Sequence, residues 1–227
     1  IYGDDVDGTF LSENLDSIEV SRSTLFNGLD KIKKLAQETN KKDILDVIKT
    51  IELQKFNDFL LGLKNIVSKI STSLNKKIEL EIGGDDIYFD MEKSSMLKDS
   101  IMHIIQNSCD HGIRSEGLIK IQLAEEEKDV SIVISDNGEG IDTNFVVERA
   151  LEKGIVTMEE LEKLSPKEVL ALIMRPGFST KDIATEYSGR GVGLDVVKTN
   201  IQKLGGTLKL SSTIAKGTTF QIKVEKS

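Results

Sequence analysis

The feature that most constrains this chain is a proline-free stretch, from about residue 10 to residue 73, whose apolar side chains recur at helical spacing. The pattern breaks around residues 38–42, so it predicts two helices joined as an antiparallel hairpin. The apolar positions are Leu11, Leu15, Ile18, Leu25, Leu29 and Ile32 in the first helix, and Ile44, Ile48, Ile51, Phe59, Leu63, Ile66, Ile70 and Leu74 in the second, which is expected to start near Lys42. Helices this long cannot bury their apolar faces against each other alone. Residues 1–73 are therefore expected to dimerise, unless the hairpin packs on the rest of its own chain.

After about Asn75 strand and helix patterns alternate irregularly, which predicts an α+β sandwich of one mixed sheet against helices for residues 74–227. Thr157-Met-Glu-Glu160 and Ser165-Pro-Lys-Glu168 fit the capping box at helix starts. The predicted strands cover residues 77–82, 87–89, 118–123, 130–135, 207–211 and 218–224, with residues 87–89 pairing back on 77–82. The predicted helices cover residues 96–109, three short segments within 143–174, and 194–204.

Composition narrows the classes of function. The net charge is −8, from 30 basic and 38 acidic residues, which argues against nucleic-acid binding. A chain this acidic would need a bound metal ion in order to bind a polyanion. The single cysteine, Cys109, allows no internal disulfide and favours a reducing compartment. No apolar run approaches the roughly 20 residues of a membrane span, so no direct membrane insertion and a cytoplasmic location are expected.

The only two histidines lie in the segment His103–Gly112. On a helix, His103, Asn107, Asp110 and His111 fall within about 100° of one another. The opposite side carries Leu97, Ile101, Ile104, Ile105 and Ser108. One face is thus predicted to pack in the core and the other to carry functional side chains. A solvent-exposed face without a function would give the same pattern.

The segment Asp136–Ile141 directly follows the predicted strand at residues 130–135. A carboxylate fixed at a strand end can accept a hydrogen bond from an exocyclic amine, such as that of adenine. Gly138 and Gly140 would let a ring approach the backbone closely. A plain β-turn rich in Asp, Asn and Gly is the alternative interpretation.

A glycine-rich segment, Ser188–Leu194, runs into the predicted helix that follows. Gly189, Gly191 and Gly193 free successive backbone amides to face a phosphate, and the helix start adds its dipole. The spacing is not the dinucleotide fingerprint, and no Gly-x4-Gly-Lys-Ser/Thr loop is present. The segment Arg175–Asp182 is interpreted as a mobile cover over the phosphates. The alternative for Ser188–Leu194 is a linker or turn, and the alternative for Arg175–Asp182 is an ordinary surface loop.

In this order, the four segments resemble the asparagine, glycine and phenylalanine boxes of the Bergerat ATP-binding superfamily. Within it, "HIIQNSCDHGI", "DNGEGID", the helical insert before "RPGFSTKD", and "SGRGVGLDVVKTNIQKLGG" are similar to the catalytic domain of CheA-type histidine kinases. The similarity spans about residues 64 to 225. It implies a Bergerat fold that binds ATP, preceded by a dimerisation hairpin.

The resemblance also implies roles for individual residues. Asn107 would hold the Mg2+ that bridges the ATP phosphates, and His103 would be the catalytic polariser or general base. Asp136 would bind adenine, Ile141 would pack on the ring, and Thr218 would support the adenine end. The full set of implied nucleotide-binding residues is Asn107, Asp110, His111, Asp136, Gly138, Gly140, Ile141, Arg149, Ser179, Thr180, Gly189, Arg190, Gly191, Val192, Gly193, Leu194 and Thr218.

The hairpin contains no histidine, so the phosphoacceptor is expected in a separate histidine-phosphotransfer domain or protein, with a response regulator downstream. Three departures bear on catalytic rate. The loop that follows Asp110–Ile113 is shorter than is usual in CheA proteins. Gln106 replaces a common arginine, and Phe145 stands where a phosphate-directed lysine often occurs, which leaves Arg149 as the nearest basic residue. The alternatives are an ATP-binding sensor or scaffold that transfers no phosphate, and an anti-sigma-factor-like serine kinase. A topoisomerase-type or mismatch-repair-type ATPase would require a glutamate in place of His103, as the base that activates water.

Overall fold

A computed structural model describes residues 22–178 and 193–226. Its backbone divides into two compact units, Ile1–Glu52 and Leu53–Ser227. In the first unit, α1 (Arg22–Glu38) and α2 (Lys42–Glu52) contact each other across a short connection. Asn40 takes a positive φ of 54° there, and the Lys41 amide donates to the Ala36 carbonyl at 2.9 Å. The predicted break at residues 38–42 is confirmed. Leu11, Leu15 and Ile18 lie outside the described residues.

The second predicted helix is not continuous, which corrects the prediction for residues 42–74. After α2 the chain forms a short strand, β1 (Gln54–Lys55), and helix α3 begins only at Phe56 and ends at Ser73. The break occurs because β1 pairs antiparallel with β3 (Tyr88–Phe89) and the Phe56 amide donates to the Ile87 carbonyl at 2.8 Å. Residues 87–89 therefore do not pair back on residues 77–82, as the sequence had predicted.

Helix α3 belongs to the second unit. Its buried residues join the core of that unit, and they are Phe56, Leu60, Leu63, Val67 and Ile70. The compact unit thus starts at Leu53, about one helix earlier than the predicted boundary at residues 73 and 74. The apolar spacing was correctly placed on a helix, but it could not show which partner that helix packs against.

The second unit contains a mixed five-stranded sheet, as predicted. The strand order is β2-β4-β5-β7-β6, with β2 and β4 parallel and the other neighbours antiparallel. The strands are β2 (Lys77–Gly84), β4 (Glu116–Glu125), β5 (Asp129–Asp136), β6 (Thr207–Thr213) and β7 (Gly217–Glu225). Alternating burial along β4 and β7 directs one set of side chains into the core.

Two further helices, α4 (Met91–Asn107) and α8 (Leu194–Lys203), pack together and complete this core. Helix α4 starts at an N-cap, Asp90, whose carboxylate accepts a 2.8 Å hydrogen bond from the Lys93 amide. Its fully buried residues include Leu97, Ile101, Ile104 and Ile105, which is the predicted packing face. The opposite face is left for the site described below.

An insert of short helices lies between β5 and α8. It contains α5 (Thr143–Glu152), α6 (Met158–Leu161), α7 (Pro166–Ala171) and a 3-10 turn (Leu172–Met174). Both predicted capping boxes are present, at Thr157 and Ser165. The insert has a small core of its own, formed by Val146, Ala150, Val156, Leu172 and Phe178.

Among residues 22–178 and 193–226, no helix combines the length and apolar composition needed to cross a bilayer.

Candidate functional site

A cavity of about 400 Å3 opens between α4, the loop after β5, helix α5 and strand β7. It is lined by residues from three of the predicted segments, together with the end of the fourth. The lining residues are His103, Gln106, Asn107, Ser108, Asp110, His111, Gly112, Asp136, Gly140, Ile141, Asp142, Phe145, Val146, Ile173, Phe178, Gly193, Leu194, Thr218 and Phe220. Segments far apart in sequence therefore meet around one cavity.

Helix α4 does not continue as an α-helix to Cys109. It ends at Asn107, and Ser108–Gly112 form a π-helical turn, in which the Ile113 amide donates to the Ser108 carbonyl at 2.8 Å. His103, Asn107, Asp110 and His111 all line the cavity, as the sequence had grouped them. The wider turn also brings the adjacent Ser108 to the cavity wall, which a regular helix would not have indicated.

The carboxylate of Asp136 lies in this wall and accepts three hydrogen bonds, and the residue is only 7% exposed. Its Oδ1 accepts hydrogen bonds from the amides of Gly138 (3.0 Å) and Thr218 (3.2 Å). Its Oδ2 accepts one from the hydroxyl of Ser108 at 2.8 Å. A carboxylate has about four acceptor positions, so these three donors leave one position, on Oδ2, for a ligand. A buried acceptor of this kind selects a ligand that donates an N–H or O–H group.

The two glycines after Asp136 serve different purposes. Gly140 lines the cavity, and its φ of +71° together with a Thr213 carbonyl 2.2 Å from the Cβ position excludes a side chain. Gly138 is not among the residues that line the cavity, and its role in admitting a ring stays a prediction. A Cβ on Gly138 would lie 2.0 Å from the Gly112 carbonyl oxygen, so this glycine lets the loop pack on the π-helical turn. The Glu139 amide completes that contact by donating to the same carbonyl at 2.7 Å.

Thr218 is buried beside Asp136 and lines the cavity at the position predicted for it. Its hydroxyl lies 3.0 Å from that of Ser212, and the two share a hydrogen bond. The Ser212 hydroxyl also accepts a 2.8 Å hydrogen bond from the amide of Ile141, another lining residue. The end of the cavity around Asp136 is therefore held by a connected set of hydroxyls and amides.

Helix α5 contributes an apolar wall. Phe145 lines the cavity with 55% of its surface exposed, and Val146 lies beside it. Arg149 was predicted to approach a phosphate, but it does not line the cavity. Its guanidinium instead forms a 2.9 Å ion pair with Glu152 one turn along the same helix. Among the described residues, the α5 wall of the cavity is therefore apolar, and the phosphate-binding role of Arg149 stays a prediction.

The predicted anion-binding loop is described only at its end. Gly193 is the N-cap of α8, and both Gly193 and Leu194 line the cavity. The other predicted positions in this region lie outside the described residues, and they are Ser179, Thr180, Gly189, Arg190, Gly191 and Val192.

Ser108, Ser212 and Lys76 make hydrogen bonds in or behind the cavity wall that were not predicted. Ser108 had been assigned to the packing face by helical periodicity, and its burial is consistent with that assignment. Ser212 and Lys76 reach their partners across the fold, through contacts with Ile141 and with the π-helical turn. No local pattern in the sequence could have indicated those contacts.

Comparison with known proteins shows which proteins this chain is similar to. Sensor histidine kinase CheAY of Helicobacter pylori is 37% identical over 191 residues, which cover 79% of this chain and 24% of that protein. Chemotaxis protein CheA of Halobacterium salinarum is 31% identical over 214 residues, which cover 89% of this chain and 31% of that protein. This chain therefore spans about a quarter to a third of the length of these two relatives.

The fold is also found in a solved structure, the mycobacterial sensor histidine kinase MprB. The two align with a TM-score of 0.51 and 18% identity, covering 77% of this chain and 97% of the other. Residues 96–227, more than half of this chain, match the family described as histidine kinase-, DNA gyrase B-, and HSP90-like ATPases. The chain belongs to this ATPase family, and within the family its sequence is similar to CheA proteins.

Proposed function

We propose that this chain is the ATP-dependent catalytic core of a CheA-like protein-histidine kinase. It would transfer the γ-phosphate of Mg-ATP to a histidine on a separate phosphotransfer domain or protein. The observation that carries the proposal is the single cavity in which Asp136 lies at one side while His103 and Asn107 come from α4. One cavity wall thus offers an acceptor for an amine, and the other offers polar groups for a reacting phosphate.

The nucleotide is oriented by these two walls. The remaining acceptor position on Asp136 suits the exocyclic amine of adenine, with Gly140, Ile141 and Thr218 around the ring. Asp110 and His111 line the cavity from the π-helical turn and would frame the phosphates, with Gly193 and Leu194 at the start of α8. Both assignments are tested by the variants proposed below.

Magnesium fits the chemistry of the residues present. No group of three or more His, Cys, Asp or Glu side chains within the described ranges could hold a metal by itself. Mg2+ typically takes one or two protein ligands and completes its shell with phosphate oxygens and water, so the Asn107 amide oxygen would suffice. When bound, the ion would neutralise charge on the phosphates, which a chain of net charge −8 requires in order to hold a polyanion.

His103 lies one helical turn before Asn107 and lines the same cavity. We assign it as general base. A ring nitrogen of the acceptor imidazole attacks the γ-phosphorus, the bond from that phosphorus to the β–γ bridging oxygen breaks, and ADP leaves. His103 takes the proton that the attacking imidazole loses. Protonated His103 would then release that proton to solvent.

The acceptor must lie outside the hairpin. The chain has two histidines, His103 and His111, and both line the cavity. A separate phosphotransfer domain or protein would present the acceptor, and a response regulator would receive the phosphoryl group afterwards. A kinase core that consumes ATP and carries one free thiol, Cys109, is suited to the reducing cytoplasm.

We further propose that the α1–α2 hairpin mediates homodimerisation. Ile32, Leu35 and Val47 are large apolar residues that remain 47%, 60% and 59% exposed. Apolar surface left on two neighbouring helices is stabilised when a second copy buries it, as in a four-helix dimer.

One observation favours a second candidate, an ATP-binding sensor that transfers no phosphate. No lysine or arginine lines the cavity in the described part of the chain, Arg149 pairs with Glu152, and Phe145 occupies the α5 wall. Such a cavity could bind nucleotide without stabilising the charge that develops during transfer.

A phosphotransfer assay separates the two candidates. The chain is mixed with ATP labelled at the γ-phosphate, Mg2+ and candidate phosphotransfer domains. We expect acid-labile, base-stable label on the acceptor, lost in Asn107→Ala and in His103→Gln. Asn65→Ala, which changes an exposed asparagine on α3, is the matched control and should keep full activity. Nucleotide binding without transfer to any acceptor would favour the sensor, and label on the isolated chain would contradict a separate acceptor.

A further inference from the structure

Lys76 lies between α3 and β2, and its ammonium group contacts the end of the α4 region. Its Nζ lies 2.6 Å from the Cys109 carbonyl oxygen, 3.0 Å from that of Asp110 and 2.7 Å from that of Ile113. A lysine ammonium has three N–H donors, so each can serve one of these carbonyls. The three acceptors belong to the π-helical turn and the residue that follows it.

The backbone around Lys76 is itself fixed. Asn75 takes a positive φ of 51°, which reverses the chain after α3. The Lys76 amide donates to the Ser71 carbonyl at 2.9 Å, and the Ser71 hydroxyl accepts from the Ile78 amide at 3.0 Å. The ammonium therefore extends from a rigid junction between α3 and the sheet.

The turn that Lys76 holds is part of the cavity wall. Carbonyls at the end of a helix lack partners within the helix, and a cation there is favoured by the helix dipole. Asp110, His111 and Gly112 of the turn line the cavity. Lys76 itself does not line it, so this cation acts from behind the wall.

We infer that Lys76 is a positioning residue for the phosphate side of the cavity. By holding two carbonyls of the turn and the carbonyl of the residue that follows it, Lys76 fixes where Asp110 and His111 lie relative to Asn107. The adenine side depends on it less, because two of the three donors to Asp136, the amides of Gly138 and Thr218, lie outside the turn. The third donor, Ser108, is the first residue of the turn, and Lys76 does not bond its carbonyl. The inference rests on the proposed ATP-binding function and adds a residue to it.

The test compares two adjacent lysines changed in the same way. Lys76→Met removes the ammonium and keeps the length of the side chain. Lys77→Met is the matched control, because the Lys77 ammonium pairs with exposed Glu116 on the surface. Affinities for ATP with Mg2+ and for adenosine are measured by calorimetry on the full chain, since adenosine reports the adenine side alone.

We expect Lys76→Met to weaken ATP binding by about 10-fold or more, as for other residues that orient ligand-binding groups, and to leave adenosine affinity within about 2-fold. Lys77→Met should change neither affinity. Hydrogen exchange provides a second readout, because the Ile113 amide that closes the π-helical turn should exchange faster only in the Lys76 variant. A purely structural role of Lys76 would weaken the binding of both ligands to the same extent.

Each outcome has a distinct meaning. An unchanged ratio of ATP to adenosine affinity in Lys76→Met would overturn the inference while the proposed function stands. If the unchanged chain binds neither ligand, the proposed function fails first. If Lys76→Met does not fold, the same ratio is measured for Lys76→Gln, whose amide keeps donors but loses the charge, and an unchanged ratio there overturns the inference equally.

Discussion

The hydroxyl of Ser108 donates a 2.8 Å hydrogen bond to Oδ2 of Asp136, and this bond joins the turn after α4 to the end of β5. Both residues are almost fully buried. The bond holds the carboxylate in the cavity wall and leaves one acceptor position on Oδ2. The proposed adenine end of the site therefore depends on a residue that neighbours the proposed metal ligand in sequence.

Ser108→Ala should weaken binding of adenosine and ATP to a similar extent, because both use the Asp136 side of the cavity. The loss of one hydrogen bond to a charged group corresponds to about 1.5–3 kcal/mol, or roughly 10-fold to 150-fold in affinity. The matched control is Ser100→Ala, a buried serine of α4 whose hydroxyl bonds only the Met96 carbonyl of its own helix. Equal calorimetric affinities for the Ser108 variant and the unchanged chain would contradict the role assigned to this bond.

Gly138→Ala should destabilise the chain by about 1–3 kcal/mol, because the new methyl group would meet the Gly112 carbonyl oxygen at 2.0 Å. Gly62→Ala on α3 is the matched control, since nothing lies within 4 Å of its Cβ position. Alanine is the better helix former by up to about 1 kcal/mol, so the control should be neutral or stabilising. Urea denaturation measures both, and a neutral Gly138 variant would contradict the packing described here.

Cys109 should give the chain a stability that declines in alkali. Burial, with a smaller contribution from the charge of Asp110, raises the pKa of the Cys109 thiol from 9.0 to about 12. The unfolded thiol therefore ionises first, and its contribution to stability is present below about pH 9 and is lost as the pH rises towards 12. Urea denaturation across this pH range should show that the free energy of unfolding declines less steeply in Cys109→Ala than in the unchanged chain. Identical slopes would contradict the burial of this thiol.

Leu35→Lys should dissociate the proposed homodimer. A charge in the centre of an apolar helix interface is costly, and Leu35 is 60% exposed within one chain. Met158→Lys makes a similar change at an exposed residue of the insert and should leave the assembly intact. Sedimentation velocity measures the outcome, and an unchanged dimer in Leu35→Lys, or a monomeric unchanged chain, would contradict the proposal for the hairpin.

Much of the fold was predictable because it depends on local patterns. Apolar periodicity located α4 and α8, and the capping residues Thr157 and Ser165 marked helix starts that the structure confirms. The break before Phe56 was missed because it depends on pairing between β1 and β3, which lie more than 30 residues apart. Periodicity alone could not separate α2 from α3.

The same distinction holds for the site. The grouping of His103, Asn107, Asp110 and His111 followed from helical spacing, and all four line the cavity. The contacts of Gly138 with Gly112 and of Arg149 with Glu152 were not predicted, and the nucleotide-binding roles of Gly138 and Arg149 stay predictions. Such contacts depend on the tertiary structure, so the spacing of residues in the sequence does not predict them.

The central claim is that one cavity binds magnesium and ATP, with Asp136 at the adenine and Asn107 at the metal. Calorimetric titration of the chain with ATP, with and without Mg2+, tests it most directly. We predict saturable binding in the presence of Mg2+, lost in Asp136→Ala, and reduced in Asn107→Ala to the affinity measured without the metal. Absence of binding at millimolar ATP with Mg2+, or full Mg2+-dependent affinity in Asn107→Ala, would contradict the claim.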